Sequence, residues 1–264
     1  MEKNIDFGTV ADLYDLYVAW GVDVPFFQDL CAGTEGEVLE LMCGTGRLSL
    51  PLLRAGVRLC CVDYSREMLD VLRRKLREEG LAADVREADV RELDLGRAFE
   101  LILLPFHSFS EVLDPAGRAR ALSRIHAHLA PGGRFVVSLH NPAVQVPRLD
   151  GERRKICARP IPGRAATLRV WSTARYRAGE SLGEALQEYE ILDAAGRTLE
   201  TRQLQLRFSV TGREAFEKEA ADAGFQVLSL WGDYQGGPFD AECSPYMIWE
   251  LTSSPTGDAP LPYI

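Results

Sequence analysis

The sequence has few residues of the kinds that build metal sites, disulfide frameworks or membrane spans. It has six cysteines and four histidines in 264 residues, with no Cys-x-x-Cys pair and no histidine at zinc-ligand distance. We therefore predict no metal site, and buried free thiols for most cysteines. No apolar run is long enough to span a membrane, and Met1–Asp6 lacks the apolar core of a signal peptide. These absences favour a cytoplasmic chain without a membrane partner.

The net charge is acidic but unevenly distributed. A formal charge of −9 argues against a general binder of nucleic acid. Residues 151–177 are the exception, since they hold eight Lys or Arg against one acid, Glu152. An anionic ligand near this segment is one interpretation, and a solvated arginine-rich face is the other.

A strand, a glycine turn and a helix follow one another in residues 37–53. The apolar run Val38–Met42 has the length of a buried parallel strand, and leucines at helical spacing follow the turn Cys43–Gly46. Glycines let a backbone approach a ligand closely, and a helix start offers free N–H groups. The pattern indicates a nucleotide site, with Glu40 near the end of the strand.

Further strands carry polar residues or glycines at their ends. The run Arg58–Val62 predicts a second strand that ends in Asp63, an acid placed to accept ribose hydroxyls. Strands are also predicted at 84–87, 99–104 and 134–140, the last of them directly after Pro131-Gly132-Gly133. In an open parallel sheet, ligands bind at the carboxyl ends of such strands.

Three of these features occur together in one family. The acid-x-x-x-Gly-x-Gly turn, Asp63 and the Pro-Gly-Gly strand resemble the class I S-adenosylmethionine-dependent methyltransferases over residues 37–140. A dinucleotide fingerprint would place a third glycine where Ser49 stands. The resemblance implies a Rossmann-like α/β fold with a seven-stranded, mostly parallel sheet and a reversed last strand. It also implies S-adenosylmethionine as cofactor.

The resemblance also implies roles for individual residues. Glu40 would lie near the methionine end of the cofactor, Asp63 would hold the ribose, and Asp89 with Val90 would hold the adenine. Met42 departs from the family, which commonly has Gly or Ala there. The full set expected to bind the cofactor is Glu40, Met42, Cys43, Gly44, Gly46, Asp63, Tyr64, Met68, Asp89, Val90, Leu104 and Pro105.

The sequence signals for the residues that would bind the methyl acceptor are less specific than those for the cofactor. Leu104–His107 replaces the Asn/Asp-Pro-Pro-Tyr motif of enzymes that methylate nucleobase amino groups or glutamine amides, which disfavours those substrates. His107 and His140 follow strands at the carboxyl edge and are the candidate general bases. The residues expected to bind the acceptor are Tyr14, Tyr17, Phe106, Asn141 and Trp171.

The chain divides into a core and additions. A helix over 9–20 and a second at 25–31 would form an N-terminal cap. Alternating strands at 167–177, 185–192 and 203–210 predict an inserted antiparallel sheet after a loop-rich stretch, and Thr211–Glu214 is a capping box that opens a helix. The expected units are 1–36 (cap), 37–145 (core), 146–210 (inserted sheet over the acceptor site), 211–252 (last helix and two strands) and 253–264 (tail).

Three functional interpretations remain open at this point. The first is O- or N-methylation of a small-molecule acceptor by direct in-line transfer, by a monomer or homodimer. The second is a nucleic-acid (tRNA) methyltransferase that uses the basic segment. The third is a protein on the same fold that binds S-adenosylmethionine without transferring methyl, uses it for another alkyl chemistry, or is a nicotinamide dehydrogenase. The fold, the motif and the inserted sheet favour the first, whereas the net charge, the missing Asn/Asp-Pro-Pro-Tyr motif and the lack of an RNA-binding appendage oppose the second.

Overall fold

A computed structural model of the protein describes residues 4–254, so most of the predicted tail lies outside the described residues. Eleven strands form two sheets. They are β1 (Val38–Leu41), β2 (Leu59–Asp63), β3 (Asp84–Glu87), β4 (Phe99–Leu104), β5 (Leu129–His140), β6 (Asp150–Pro160), β7 (Ala166–Arg177), β8 (Leu182–Asp193), β9 (Thr198–Ser209), β10 (Phe225–Trp231) and β11 (Tyr246–Ser253).

The larger sheet has seven strands in the order β10-β11-β5-β4-β1-β2-β3. Strands β1 to β5 pair in parallel, whereas β11 runs antiparallel to both β5 and β10. The expected fold with its reversed last strand is therefore confirmed. The parallel strands place their carboxyl ends on one edge, where the polar residues predicted from the sequence come together.

Helices cover both faces of this sheet. They are α1 (Tyr14–Tyr17), α2 (Val24–Cys31), α3 (Ser49–Arg54), α4 (Arg66–Glu79), α5 (Pro115–Ala127), α6 (Pro142–Gln145) and α7 (Arg213–Asp222). One core packs Phe109, Phe135 and Trp249, and the other packs Phe27, Leu52 and Leu72, each fully or almost fully buried. Within residues 4–254 the structure has no helix with the length and apolarity needed to cross a membrane.

The N-terminal segment differs from the sequence prediction. Instead of one helix over 9–20, a 3₁₀ turn at Phe7–Val10 and the short α1 are separated by a turn. Tertiary contacts compete with the helix here, because Asp12 and Asp15 bond to different elements, Arg202 of β9 and Thr45 of the glycine turn. The second predicted helix is confirmed as α2.

The smaller sheet is an antiparallel meander in the order β6-β7-β8-β9. Its predicted strands are confirmed, but β6 lies where the sequence predicted loops, and this prediction was wrong. Strand β6 is an edge strand, almost wholly exposed and rich in arginine, so it lacks the apolar alternation of a half-buried strand. The inner face of the sheet packs Leu168, Val170 and Tyr189 against Ile5 and Leu13.

The predicted capping box at the start of α7 is not formed. Gly212 occupies the cap position without a side-chain bond. The Thr211 hydroxyl instead accepts a hydrogen bond from the buried Arg118 guanidinium at 2.8 Å. A buried cation needs several partners, and Arg118 therefore takes the hydroxyl that a local cap would have used.

Candidate active site

Two neighbouring cavities open at the carboxyl edge of the large sheet. The first has a volume of about 290 Å³ and lies beside β2 and β3. The second, of about 480 Å³, lies between the glycine turn, the N-terminal segment and the smaller sheet. Met42, Tyr64 and Glu111 line both cavities and so form the wall that they share.

The glycine turn is shaped by its two glycines and fixed by Asp63. Gly44 and Gly46 have φ values of 59° and 83°, in the left-handed region that glycine adopts without strain. A Cβ on Gly46 would lie 2.4 Å from Leu72 Cδ1. The Asp63 carboxylate accepts hydrogen bonds from the Gly44 and Ser65 N–H groups, both at 2.8 Å, so it holds the turn against the end of β2.

Glu40 lies behind this turn. It is almost fully buried, and its carboxylate accepts a 2.6 Å hydrogen bond from the Ser49 hydroxyl. Burial raises the pKa of Glu40 to about 7, although the bond from Ser49 and the nearby Arg47 oppose that rise. Glu40 lines neither cavity, and the role suggested for it at the methionine end of the cofactor stays a prediction.

Strained backbone is concentrated around the second cavity. Among the described residues, four that are not glycine have positive φ, and three of these, Met42 (55°), Phe106 (58°) and His107 (63°), line that cavity. Each costs about 1 kcal/mol or more, and such strain is often found at functional sites. Met42 thus takes a conformation that glycine adopts without strain, and it lines both cavities.

The first cavity is lined by the two residues for which an adenine contact was predicted. Asp89 and the buried Val90 line it, together with Met42 and Ala88. Arg91 forms a two-pronged ion pair with Asp89, with distances of 2.9 and 2.6 Å. Burial raises the pKa of Asp89, but the hydrogen bonds from Arg91 outweigh it and lower the pKa overall, which keeps the carboxylate ionised.

The N-terminal segment closes the second cavity from outside. Asp15 accepts hydrogen bonds from Thr45 (2.6 Å) and Lys75 (2.8 Å), which hold the segment to the core. On the other side, the Arg202 guanidinium of β9 donates to Asp12 at 2.6 Å. Tyr14 and Tyr17 line the cavity as predicted from the sequence, and Tyr17 packs edge to face on Tyr189 of the smaller sheet.

The two candidate bases lie together in this cavity. The rings of His107 and His140 stack with centroids 3.7 Å apart, and Tyr246 stacks on His107 at 5.0 Å. Burial, followed by His140 and Arg47, lowers the pKa of His107 well below its usual value. Burial and then Arg148 lower the pKa of His140 to about 4. Both imidazoles are therefore neutral at physiological pH and weakly basic.

Some predicted site residues line neither cavity. Asn141 is buried, and its amide donates to the Ala241 and Ser244 carbonyls, so it anchors the loop before β11. Trp171 lies on the outer face of β7, where it contacts the Arg153 guanidinium and donates to Glu190. The structure gives both side chains partners away from the cavities, and their expected contact with the acceptor stays a prediction. Other predicted residues that support the walls without lining the cavities are Cys43, Gly46, Leu104 and Pro105.

Sequence reasoning missed two charged residues of the site. Arg47 forms a two-pronged ion pair with the fully buried Asp23 and stands over the Phe106 ring, 4.4 Å from its centroid. Glu111 lies in the shared wall, and burial followed by the Asp63 charge raises its pKa to about 8. No local motif marks either residue. The signal for Glu111 was its position seven residues after the end of β4, in a segment where site residues were predicted only as far as His107.

The fold and this site together define a Rossmann-like α/β protein with its cavities at the carboxyl edge of the sheet. Residues 38–133 match the family described as "Methyltransferase domain". The cypemycin N-terminal methyltransferase of a Streptomyces species is 30% identical over 211 residues, which is 80% of this chain and 81% of that protein. The chain belongs to the class I S-adenosylmethionine-dependent methyltransferases, and S-adenosylmethionine is its cofactor.

Two further comparisons agree with this assignment. The dTDP-3-amino-3,6-dideoxy-alpha-D-glucopyranose N,N-dimethyltransferase of Streptomyces fradiae is 28% identical over 138 residues, covering 49% of this chain and 52% of that enzyme. An S-adenosylmethionine-dependent methyltransferase from Clostridium acetobutylicum ATCC 824 has the same fold. Its TM-score is 0.79 at 18% identity, with 94% of this chain and 99% of that chain covered.

Proposed function

We propose that the enzyme methylates an amine nitrogen of a small-molecule acceptor that binds in the second cavity. The observation that supports this most directly is the charge of the cavity wall. Its described lining includes Asp63 and Glu111 but no lysine or arginine, and its two histidines are neutral. Acidic groups and aromatic faces stabilise a cation.

Aromatic side chains supply much of the remaining wall. Those that line the second cavity are Phe7, Tyr14, Tyr17, Trp20, Tyr64, Phe106, Phe208 and Tyr246. Aromatic rings attract ammonium groups through their negative faces, and they still fit when methyl groups are added. The wall therefore suits both an amine and its methylated products.

The basic segment 151–177 gives no support to an anionic acceptor or to nucleic acid. Two of its arginines pair with acids of β8: Arg153 of β6 with Glu188 (2.8 Å), and Arg169 of β7 with Glu190 (2.6 Å). The side chain that this segment contributes to the second cavity is the apolar Ile156. We therefore favour a cationic acceptor over an anionic one.

The names of the similar proteins also favour nitrogen. One is an N-terminal methyltransferase and another is an N,N-dimethyltransferase of an amino sugar. The substrates themselves differ, so these names support the kind of atom that is methylated and not the identity of the molecule that carries it.

The residues of the site fit the cofactor. The positive-φ Gly44 keeps the turn open where a Cβ would lie 3.3 Å from Met68 Cε, and Asp63 stands beside it as an acceptor for the ribose diol. Asp89 and Val90 would hold the adenine in the first cavity. When bound, the cofactor supplies an electrophilic methyl group on a positively charged sulfur. The chain would position the nitrogen, exclude water and take up a proton.

A substrate panel tests the proposal. The enzyme and S-adenosylmethionine would be incubated with a primary alkylamine, an amino sugar nucleotide, a peptide with a free N-terminus, matched alcohols and tRNA. We expect the amines to gain methyl groups on nitrogen in tandem mass spectrometry, and Asp63→Ala to abolish the gain. Methylation of the alcohols or of tRNA, with none of the amines, would overturn the proposal.

A further inference from the structure

We propose that Glu111 holds the ammonium form of the acceptor and takes its proton before methyl transfer. This inference rests on the proposed amine methylation and adds a named residue to it. It is carried by the position of Glu111, by the absence of a partner for its carboxylate among residues 4–254, and by the elimination of the other ionisable groups in the cavity.

Glu111 ends the 3₁₀ turn Ser108–Glu111 that follows β4, and its side chain lines both cavities. Its backbone is fixed, because its carbonyl accepts a 2.9 Å hydrogen bond from the Asn4 amide, and the Ser110 carbonyl accepts one from Ser209. The carboxylate itself makes no hydrogen bond or ion pair with any described residue. A half-buried acid without a partner is costly unless a ligand supplies one.

Glu111 shares the lining of the second cavity with Asp63, Tyr14, Tyr17 and Tyr64, and it interacts electrostatically with each of them. Both oxygens of Asp63 already accept backbone N–H bonds. Burial raises the pKa of each of the three tyrosines, so their hydroxyls stay protonated. None of these four groups is therefore as well placed as Glu111 to receive a proton.

The neutral histidines are also poor proton acceptors for an alkyl ammonium. The pKa of His140 is lowered to about 4, far below that of an amine. Burial and Asp63 raise the pKa of Glu111 to about 8, which brings it nearer to the pKa of an amine than an ordinary carboxylate or His140 is. A cation in the cavity would favour the ionised form of Glu111 and so prepare it to bind the ammonium.

With a primary amine as acceptor, the step begins from the ammonium form beside the Glu111 carboxylate. The carboxylate takes one proton from the ammonium and becomes a carboxylic acid, which leaves a lone pair on nitrogen. The nitrogen then forms the N–C bond while the C–S bond breaks, and the electron pair of that bond remains on sulfur. The product is a secondary ammonium, and Glu111 returns its proton to solvent.

A cofactor analogue tests this inference without a known acceptor. Sinefungin carries a protonated amine where S-adenosylmethionine carries its methyl sulfonium, whereas S-adenosylhomocysteine is neutral at that place. Both would be titrated calorimetrically at pH 7.5 in two buffers of different ionisation enthalpy, which counts the protons released. The proteins are wild type, Glu111→Gln, Glu111→Asp and Glu100→Gln, a matched loss of charge on the exposed part of β4.

We expect the wild type to bind sinefungin roughly tenfold or more tightly than S-adenosylhomocysteine and to release more protons with it. Glu111→Gln should bind S-adenosylhomocysteine as before but lose both differences. Glu111→Asp should keep part of them, and Glu100→Gln all of them. A Glu111→Gln protein that keeps the preference and the proton release would overturn the inference.

Two safeguards keep the result interpretable. If Glu111→Gln does not fold, a wild type that shows no preference and no extra proton release still overturns the inference. The titration uses no acceptor, so its failure leaves the amine proposal standing. If the substrate panel failed instead, the titration would still report the charge state of Glu111.

Discussion

Arg47 and Asp23 join the glycine turn to the segment in front of the first strand. The guanidinium donates to the two carboxylate oxygens of Asp23 at 2.7 and 2.6 Å, and Asp23 is fully buried. Arg47 also donates to the Trp20 carbonyl at 3.0 Å. One cation therefore links the cofactor turn to the cap that covers the second cavity.

Replacing Asp23 by Asn should destabilise the protein by about 3 kcal/mol or more, because a buried guanidinium would lose its countercharge. Urea denaturation measures the change, and S-adenosylhomocysteine affinity should fall as well. The exposed pair Arg54–Glu79 has the same two-pronged geometry. Glu79→Gln is the control and should leave the urea midpoint almost unchanged. Equal effects of the two substitutions would contradict the prediction.

Gly46→Ala should destabilise the chain far more than Gly56→Ala. Both glycines have similar positive φ values, 83° and 87°, so an alanine costs about 1 kcal/mol at either position through its backbone. Only at Gly46 would the new Cβ meet Leu72, at 2.4 Å, whereas nothing lies within 4 Å at Gly56. Overpacking adds about 1–3 kcal/mol at Gly46. Thermal unfolding of the two variants compares them directly, and similar losses would show that the contact with Leu72 relaxes.

Glu40→Gln should change how stability depends on pH. The pKa of Glu40 rises from 4.5 to about 7 on folding, so the folded chain binds a proton that the unfolded chain has released between these values. The free energy of unfolding therefore falls as pH rises through this window. The variant should escape that loss and gain up to about 3 kcal/mol relative to wild type near pH 7.

Unfolding curves of both proteins between pH 4.5 and 7.5 would measure this difference. Ser49→Ala provides a second variant, because it removes the hydrogen bond that lowers the Glu40 pKa. The Glu40 pKa should then be higher than in wild type, so the free energy of unfolding of Ser49→Ala should keep falling up to a higher pH. Parallel curves for wild type and Glu40→Gln would mean that Glu40 does not titrate abnormally.

His140→Gln should have the opposite effect. The pKa of His140 falls from 6.5 to about 4 on folding, since burial and Arg148 disfavour its charged form. The unfolded chain then binds more protons between these values, and stability rises with pH across them. In wild type this increase in the free energy of unfolding amounts to up to about 3 kcal/mol, and the variant should lack it. Guanidinium midpoints at pH 4.5, 5.5 and 6.5 measure it, and an unchanged slope would be the contrary result.

Much of the fold could be predicted from local patterns. The strands at 84–87 and 99–104 have the predicted bounds, and Ser65 caps α4 by accepting from the Met68 N–H group, as expected. Such features depend on residues a few positions apart, through apolar periodicity, turn chemistry and capping. The same holds for the positions of the glycine turn and Asp63, because the strand ends that carry them meet at one edge.

The side chains around the second cavity were harder to predict, because their positions depend on contacts between distant parts of the chain. Trp171 and Tyr189 lie on adjacent strands of the same sheet, yet only Tyr189 faces the N-terminal segment, because the packing partner selects the inner face. The sequence did not predict edge strand β6, because a strand without a buried face shows no alternation of apolar and polar residues.

The sequence by itself located most strands of the large sheet through local periodicity, and its short motifs identified the class of fold and the cofactor through their resemblance to the methyltransferase family. Only the tertiary structure decided which groups remain charged around the acceptor. Glu111 faces both cavities because the N-terminal segment and the smaller sheet close over the turn after β4. Its pKa is set by the solvent that these distant elements exclude, and no pattern near residue 111 records that exclusion.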